Sequence, residues 1–222
     1  MKMARLGLSL AVVLFLLACG GGGGGDGEYV PTARETEILS KKAGLTNGAA
    51  VIIGNSITEA LPMPPAPFPI LNAGIWGANT LTYYRFLGKL LQRLQARLFV
   101  VALGVNDAHL DIASFPERYE AICSALEATG AQVAVATVLP TTNGRVNAEL
   151  IKKLNEHIAN LSRDKGYLHL DSFSAIADER GYLPSAYTYD GLHLNDAGNE
   201  KLKGFYIDKV GSLYDLKPKA DR

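Results

Sequence analysis

The chain has 222 residues, 48% of them hydrophobic and 20% charged, which suits one globular domain with a sizeable core and sets disorder aside. Its 22 Lys and Arg balance 22 Asp and Glu, and no basic cluster lies beyond the extreme N-terminus. That excludes the electrostatic footprint of a protein that binds nucleic-acid backbones.

Lys2 and Arg5 introduce an apolar run over residues 6–18, the form of a secretion signal and too short for a comfortable membrane-spanning helix. The segment Leu16-Leu17-Ala18-Cys19 resembles a bacterial lipobox, which implies cleavage before Cys19 and a lipid on its sulfur. A plain signal peptide with an incidental cysteine is the alternative. Residues 20–27 are glycine apart from Asp26, so they offer nothing to a core and read as a tether. The expected organisation is a signal peptide over 1–18, the lipidated cysteine and tether over 19–30, and one domain over 31–222. With Cys19 lipidated, Cys123 has no disulfide partner. It falls on the apolar face Tyr119, Ile122, Cys123, Leu126 and reads as a small buried hydrophobe.

Beyond the tether, short apolar runs alternate with helical patterns. Strands are expected at 49–53, 69–72, 98–103, 132–138 and 167–170, buried on both faces because apolar residues run almost continuously. Helical spacing links Leu81, Tyr84, Leu87, Leu91 and Leu94, then the Cys123 segment, then Leu150, Ile151, Leu154, Ile158 and Leu161. A last helix is expected over about 196–213. Strand and helix in alternation imply a three-layer α/β/α sandwich with a central five-stranded parallel sheet. In such sheets reactive residues gather beyond the carboxyl ends of the strands.

The first strand exits through Gly54-Asn55-Ser56-Ile57-Thr58-Glu59. A serine there reads as a helix cap, part of a phosphate cradle or a nucleophile, and its company decides. The second strand exits through Trp76-Gly77-Ala78-Asn79 and the third through Gly104-Val105-Asn106-Asp107. The Gly77 N–H and the Asn106 amide, with the Ser56 N–H, offer three donors of the kind an oxyanion hole needs. Near the C-terminus, Asp190-Gly191-Leu192-His193 spaces a carboxylate three residues from an imidazole. That turn can fix the tautomer of a base, and a serine hydroxyl needs such a base.

The remaining histidines have weaker claims. His157 lies in a polar helix, His169 in an apolar strand where a satisfied core imidazole is expected, and His109 in a loop just after Asn106 where it can touch substrate. Trp76 beside Gly77 either lines the site or packs in the core, and Asn55 beside Ser56 is a further candidate to line the substrate.

Together the four segments resemble the SGNH (GDSL-like) hydrolase family, whose blocks carry a serine, a glycine, an asparagine and a closing Asp-x-x-His. The resemblance spans about 49–213 and implies a flavodoxin-like SGNH fold. It implies Ser56 as nucleophile, Asp190 and His193 as orienting acid and base, and Ser56, Gly77 and Asn106 as oxyanion donors. Asn55 stands where the family usually carries aspartate, and Ala78 where an aspartate after the glycine is common. The absence of a Gly-x-Ser-x-Gly elbow points away from the α/β-hydrolase architecture. No metal or organic cofactor is implied. The expected substrate is a small-molecule or carbohydrate acyl ester, with short acyl groups favoured because the connections between blocks are short and only a proline-rich segment near 61–69 can form a lip. Lysophospholipase or thioesterase activity, acyl transfer to a sugar, and a noncatalytic surface-binding lipoprotein are the competing readings. The expected location is the bacterial cell envelope, through the lipid on Cys19, with the outer membrane favoured. Oligomeric state is not legible.

Overall fold

A computed structural model describes residues 29–45, 48–63, 68–110 and 112–214. The proposed signal peptide, Cys19, the tether and the middle of the proline-rich segment lie outside the described residues. In chain order the elements are α1 (Ala33–Ala43), β1 (Ala49–Gly54), α2 (Ser56–Ala60), β2 (Ile70–Gly74), α3 (Thr80–Leu91), β3 (Ala96–Ala102), α4 (Val105–Leu110) and α5 (Phe115–Glu127). They continue with β4 (Gln132–Ala136), α6 (Ala148–Lys165), β5 (Leu168–Leu170), α7 (Ser172–Ile176), a 3-10 turn (Ser185–Tyr187) and α8 (Asp196–Tyr214).

The five strands form one parallel sheet in the order β2-β1-β3-β4-β5. Side chains of a strand alternate between faces, and the core divides accordingly. Val51, Ile53, Phe99, Val101, Val133 and Val135 meet residues of α1, α3, α5 and α6 on one face. Ala50, Ile52, Leu98, Val100, Ala134 and Ala136 meet Ile57 of α2, Ile176 of α7, and Leu202, Tyr206 and Val210 of α8 on the other. The three-layer sandwich expected from the sequence is therefore the observed one.

Two expectations about burial need correction. Among the described strands β5 stands at the edge of the sheet beside β4, so its side chains have sheet neighbours on one flank only, and His169 is exposed instead of being a core imidazole. In α3 the helical spacing is right but the buried face is rotated. Tyr83, Phe86, Leu87 and Leu90 are buried, whereas Leu81, Tyr84 and Leu91 are only half-buried. On the buried face the Tyr83 hydroxyl accepts from the Gly54 amide at 3.1 Å and lies within donating reach of the Gly54 and Ala73 carbonyls. Burying a phenol requires such partners, and the ends of β1 and β2 supply them. Cys123 is buried on α5, and burial pushes its thiol well above the ordinary range. It is an inert packing residue, as expected.

Candidate active site

In the order β2-β1-β3, the chain leaves β1 toward one edge and returns to β1's other side, which makes the gap between the carboxyl ends of β1 and β3 a topological switch point. Ser56 follows β1 and Asn106 follows β3.

The approach to Ser56 is set by close packing. A Cβ at Gly54 would lie 2.0 Å from Thr58 Oγ1, so only glycine lets α2 fold back over the strand end. Asn55 caps α2, its side-chain oxygen accepting the Ile57 amide at 2.9 Å. This is the cap that an aspartate would also provide, and it commits the Asn55 oxygen to the backbone. Ser56 is 5% exposed.

The histidine and carboxylate arrive on one turn. Asp190 Oδ1 accepts the amides of Leu192 at 2.9 Å and His193 at 2.7 Å, while Oδ2 faces His193 Nδ1 at 2.7 Å. On its far side, His193 Nε2 lies 3.1 Å from Ser56 Oγ. Partial burial pushes the Asp190 carboxyl up. The hydrogen bonds from the His193 ring and from the His193 and Leu192 amides outweigh it and hold the group below the ordinary carboxylate value. The loop after β4 grips this turn: Thr141 Oγ1 donates to the Gly191 carbonyl at 2.7 Å, and Asn143 Nδ2 to the Asp190 carbonyl at 3.0 Å.

Gly77 has φ +70°, and a Cβ there would meet nothing within 4 Å. Glycine is therefore needed for its left-handed backbone and not for space. The preceding amide, Trp76 N–H, donates to a Glu59 carboxylate oxygen. Glu59 Oε1 in turn lies 3.7 Å from Arg34 Nε, which donates to the Gly74 carbonyl at 2.9 Å. Asn106 Nδ2 donates to the Ala78 carbonyl at 2.8 Å, and an amide NH2 has a second hydrogen to offer. One residue on, buried Asp107 accepts from the Thr80 amide at 3.1 Å and from the Thr80 hydroxyl. The glycine loop and α4 are thus tied together by two neighbouring residues.

Ser56, Gly77, Asn106, Asp190 and His193 are brought to the strand exits. Trp76 is 65% exposed, so it is no core residue, and its ring lies 4.9 Å from that of His193 and 10° from parallel. His109, expected in a loop, instead lies in α4, because that helix starts at Val105 directly after the strand exit; it is exposed and its Nδ1 lies 3.1 Å from the Arg145 carbonyl. His157 sets its ring edge-on to Phe115, and burial pushes its imidazole below the ordinary value. Glu59, Arg34, Asp107 and Tyr189 were not singled out by sequence reasoning. Glu59, Asp107 and Tyr189 lie in or beside the strand-exit and Asp190 segments marked by the sequence, whereas Arg34 carried no signal. Among the described residues, no three His, Cys, Asp or Glu side chains are grouped to hold a metal.

A hydroxyl, an imidazole and a carboxylate in one hydrogen-bonded line, beside a loop with a left-handed glycine, form the arrangement used for acyl transfer through serine. The profile of the GDSL-like lipase/acylhydrolase family matches residues 45–201, and the chain belongs to that family of ester hydrolases. Solved structures share the fold. A Streptococcus pneumonia protein described as a candidate platelet activating factor superposes with a TM-score of 0.71 at 23% identity, covering 80% of this chain and 91% of its own. The lipase/acylhydrolase of Enterococcus faecalis superposes with a TM-score of 0.63 at 22% identity, covering 78% of this chain and 98% of its own. A catalytic mutant of an acetylxylan esterase from Geobacillus stearothermophilus superposes with a TM-score of 0.59 at 12% identity, covering 75% and 96%. No curated protein matches the chain in sequence.

Proposed function

We propose that the protein is a serine esterase for short acyl esters, acetyl esters of carbohydrates among them, working through an acyl-enzyme on Ser56. His193 Nε2 accepts the Ser56 proton as Oγ attacks the ester carbonyl, and Asp190 stabilises the imidazolium that forms. The oxyanion is received by the Ser56 and Gly77 N–H groups and by the second amide hydrogen of Asn106. Collapse of this intermediate expels the alcohol, which takes its proton from His193. Water, activated by the same imidazole, then releases the acid.

The observation that carries this reading is the line from Asp190 Oδ2 to His193 Nδ1 at 2.7 Å and from His193 Nε2 to Ser56 Oγ at 3.1 Å. Short acyl groups are favoured because the connections that carry Ser56, Gly77 and Asn106, at 55, 75–79 and 103–104, are short, the longer segments at 137–147 and 177–195 standing on the His193 side, so added methylenes recover only part of the about 0.8 kcal/mol available on full burial. Export and a lipid on Cys19 complete the proposal. Incubation with an organophosphonate is expected to label Ser56 and abolish hydrolysis of 4-nitrophenyl acetate, with kcat/KM falling from butyryl to octanoyl esters. Labelling elsewhere with Ser56 unmodified would overturn the assignment of the nucleophile.

A further inference from the structure

The described residues expose five large hydrophobic side chains, and three are the aromatics Trp76, Tyr182 and Tyr189. Two of them crowd His193. The Tyr189 ring, 68% exposed, lies 5.9 Å from the imidazole, and like the Trp76 ring it is 10° from parallel to it. Tyr189 and Gly191, on either side of Asp190, also line a cleft of about 730 Å³ that continues past Thr142, Ser185, Arg180 and Tyr182. That volume falls in the range of roughly 300–1,000 Å³ typical of pockets for drug-sized ligands.

The far wall of the cleft is built and not merely exposed. Asp178 Oδ1 accepts the amides of Arg180 at 3.0 Å and Tyr182 at 2.9 Å. Its Oδ2 holds Arg180 Nη2 at 3.3 Å. The guanidinium sits 5.7 Å from the centre of the Tyr182 ring. The two amide bonds to Asp178 fix the backbone of the turn, which carries the Tyr182 ring with the exposed Arg180 guanidinium over it.

We infer that this cleft binds the alcohol side of the substrate and that the alcohol is a short carbohydrate chain, with Tyr189 next to the scissile ester and Tyr182 one step farther out. The inference rests on the Ser56 esterase reading. His193 must hand a proton to the departing oxygen, so the leaving group has to lie on the imidazole side, where Trp76 and Tyr189 stand. Exposed ring faces offer the apolar C–H faces of a pyranose something to stack on, while Thr142, Ser185 and Arg180 match its hydroxyls. A fatty-acyl chain would meet charged groups along the same path and gain little from them.

The test compares wild type with Tyr182→Ala, Tyr182→Phe and Tyr189→Ala, using acetylated xylotriose, mannotriose and cellotriose beside 4-nitrophenyl acetate. For at least one sugar, the ratio of its kcat/KM to that of 4-nitrophenyl acetate should fall about tenfold in Tyr182→Ala, the size expected for loss of one stacking face, and recover in Tyr182→Phe, which keeps the ring. Tyr189→Ala should lower the same ratio. A second arm titrates the unacetylated trisaccharides into wild type and follows intrinsic fluorescence, which reads the cleft without any turnover. Ratios unchanged in both alanine variants, with no saturable fluorescence change, would overturn the cleft assignment while leaving the esterase reading intact. Failure of wild type to hydrolyse 4-nitrophenyl acetate would instead overturn the esterase reading, and the fluorescence arm would still decide the cleft. Tyr182 is 47% exposed, so loss of its ring leaves the fold in place.

Discussion

Replacing Asp190 by Asn tests the triad without removing any group. Asp190 Oδ1 receives two backbone amides, from Leu192 at 2.9 Å and His193 at 2.7 Å. An asparagine must turn its oxygen to those donors, because its NH2 there would face two N–H groups. Its NH2 is then directed at His193 Nδ1, which sits 2.7 Å from Asp190 Oδ2 in the native site. That contact forces Nδ1 to accept and places the ring proton on Nε2, pointing at Ser56 Oγ. An imidazole in that tautomer cannot take the serine proton. The comparable change in a serine protease lowers kcat about 10⁴-fold, which corresponds to about 5 kcal/mol of barrier. The backbone bonds of the turn survive, so the fold should too. The assay is kcat/KM on 4-nitrophenyl acetate at neutral pH, with circular dichroism as the folding control. A folded Asp190→Asn protein within tenfold of wild type would refute the reasoning.

Asn106→Ala should lower kcat roughly a hundredfold or more with KM little changed, because the amide matters mainly once charge develops on oxygen. Wild-type kcat in a folded variant would remove Asn106 from the oxyanion hole. Acid unfolding offers a thermodynamic check on Asp190. Its folded value is depressed below 3.8, so its contribution to stability is present above that pH and is lost as pH falls through the folded value. The difference in urea midpoint between wild type and Asp190→Asn should therefore shrink below pH 3.8, and a constant difference would count against the ionised pair. Full-length protein made in a host that processes lipoproteins should partition into the detergent phase, and Cys19→Ser should not. Equal partitioning would refute the anchor.

The fold was legible wherever burial is two-sided. The strands β1 and β4, buried at every position, read directly as continuous apolar runs, and the alternation of strands and helices gave the layers. Both edge strands were located, but burial on β5 misled, since its Leu-His-Leu looks internal until one knows that no described strand pairs beyond it. The helix α1 was missed because its sequence ARETEILSKKA buries little beyond Ile38 and Glu35. Its signal was the capping box of Thr32 and Glu35, visible in sequence but weak without an apolar face. In the site, residues whose identity is tied to a local motif, such as Asp190 and His193, could be named. Glu59 and Asp107 could not, since what marks them is a partner 17 or 27 residues away. The face of Trp76 that meets His193 was likewise invisible, because a lone tryptophan carries no periodicity.

The carboxylate and the imidazole share one turn, so their mutual geometry is a local property that a few residues can keep even when the surrounding structure loosens. The bond from His193 to Ser56 is different, because it spans 137 residues of chain and joins the C-terminal segment to the centre of the sheet. The triad thus contains a single long-distance joint. Any partial melting that frees the 188–195 segment from its grip on the β4 loop would carry base and acid away together, as an intact pair, from a nucleophile still seated in a folded core. Activity would vanish as a subglobal event, ahead of the cooperative loss of the sheet, and enzymatic assay would register a lower apparent melting point than spectroscopy.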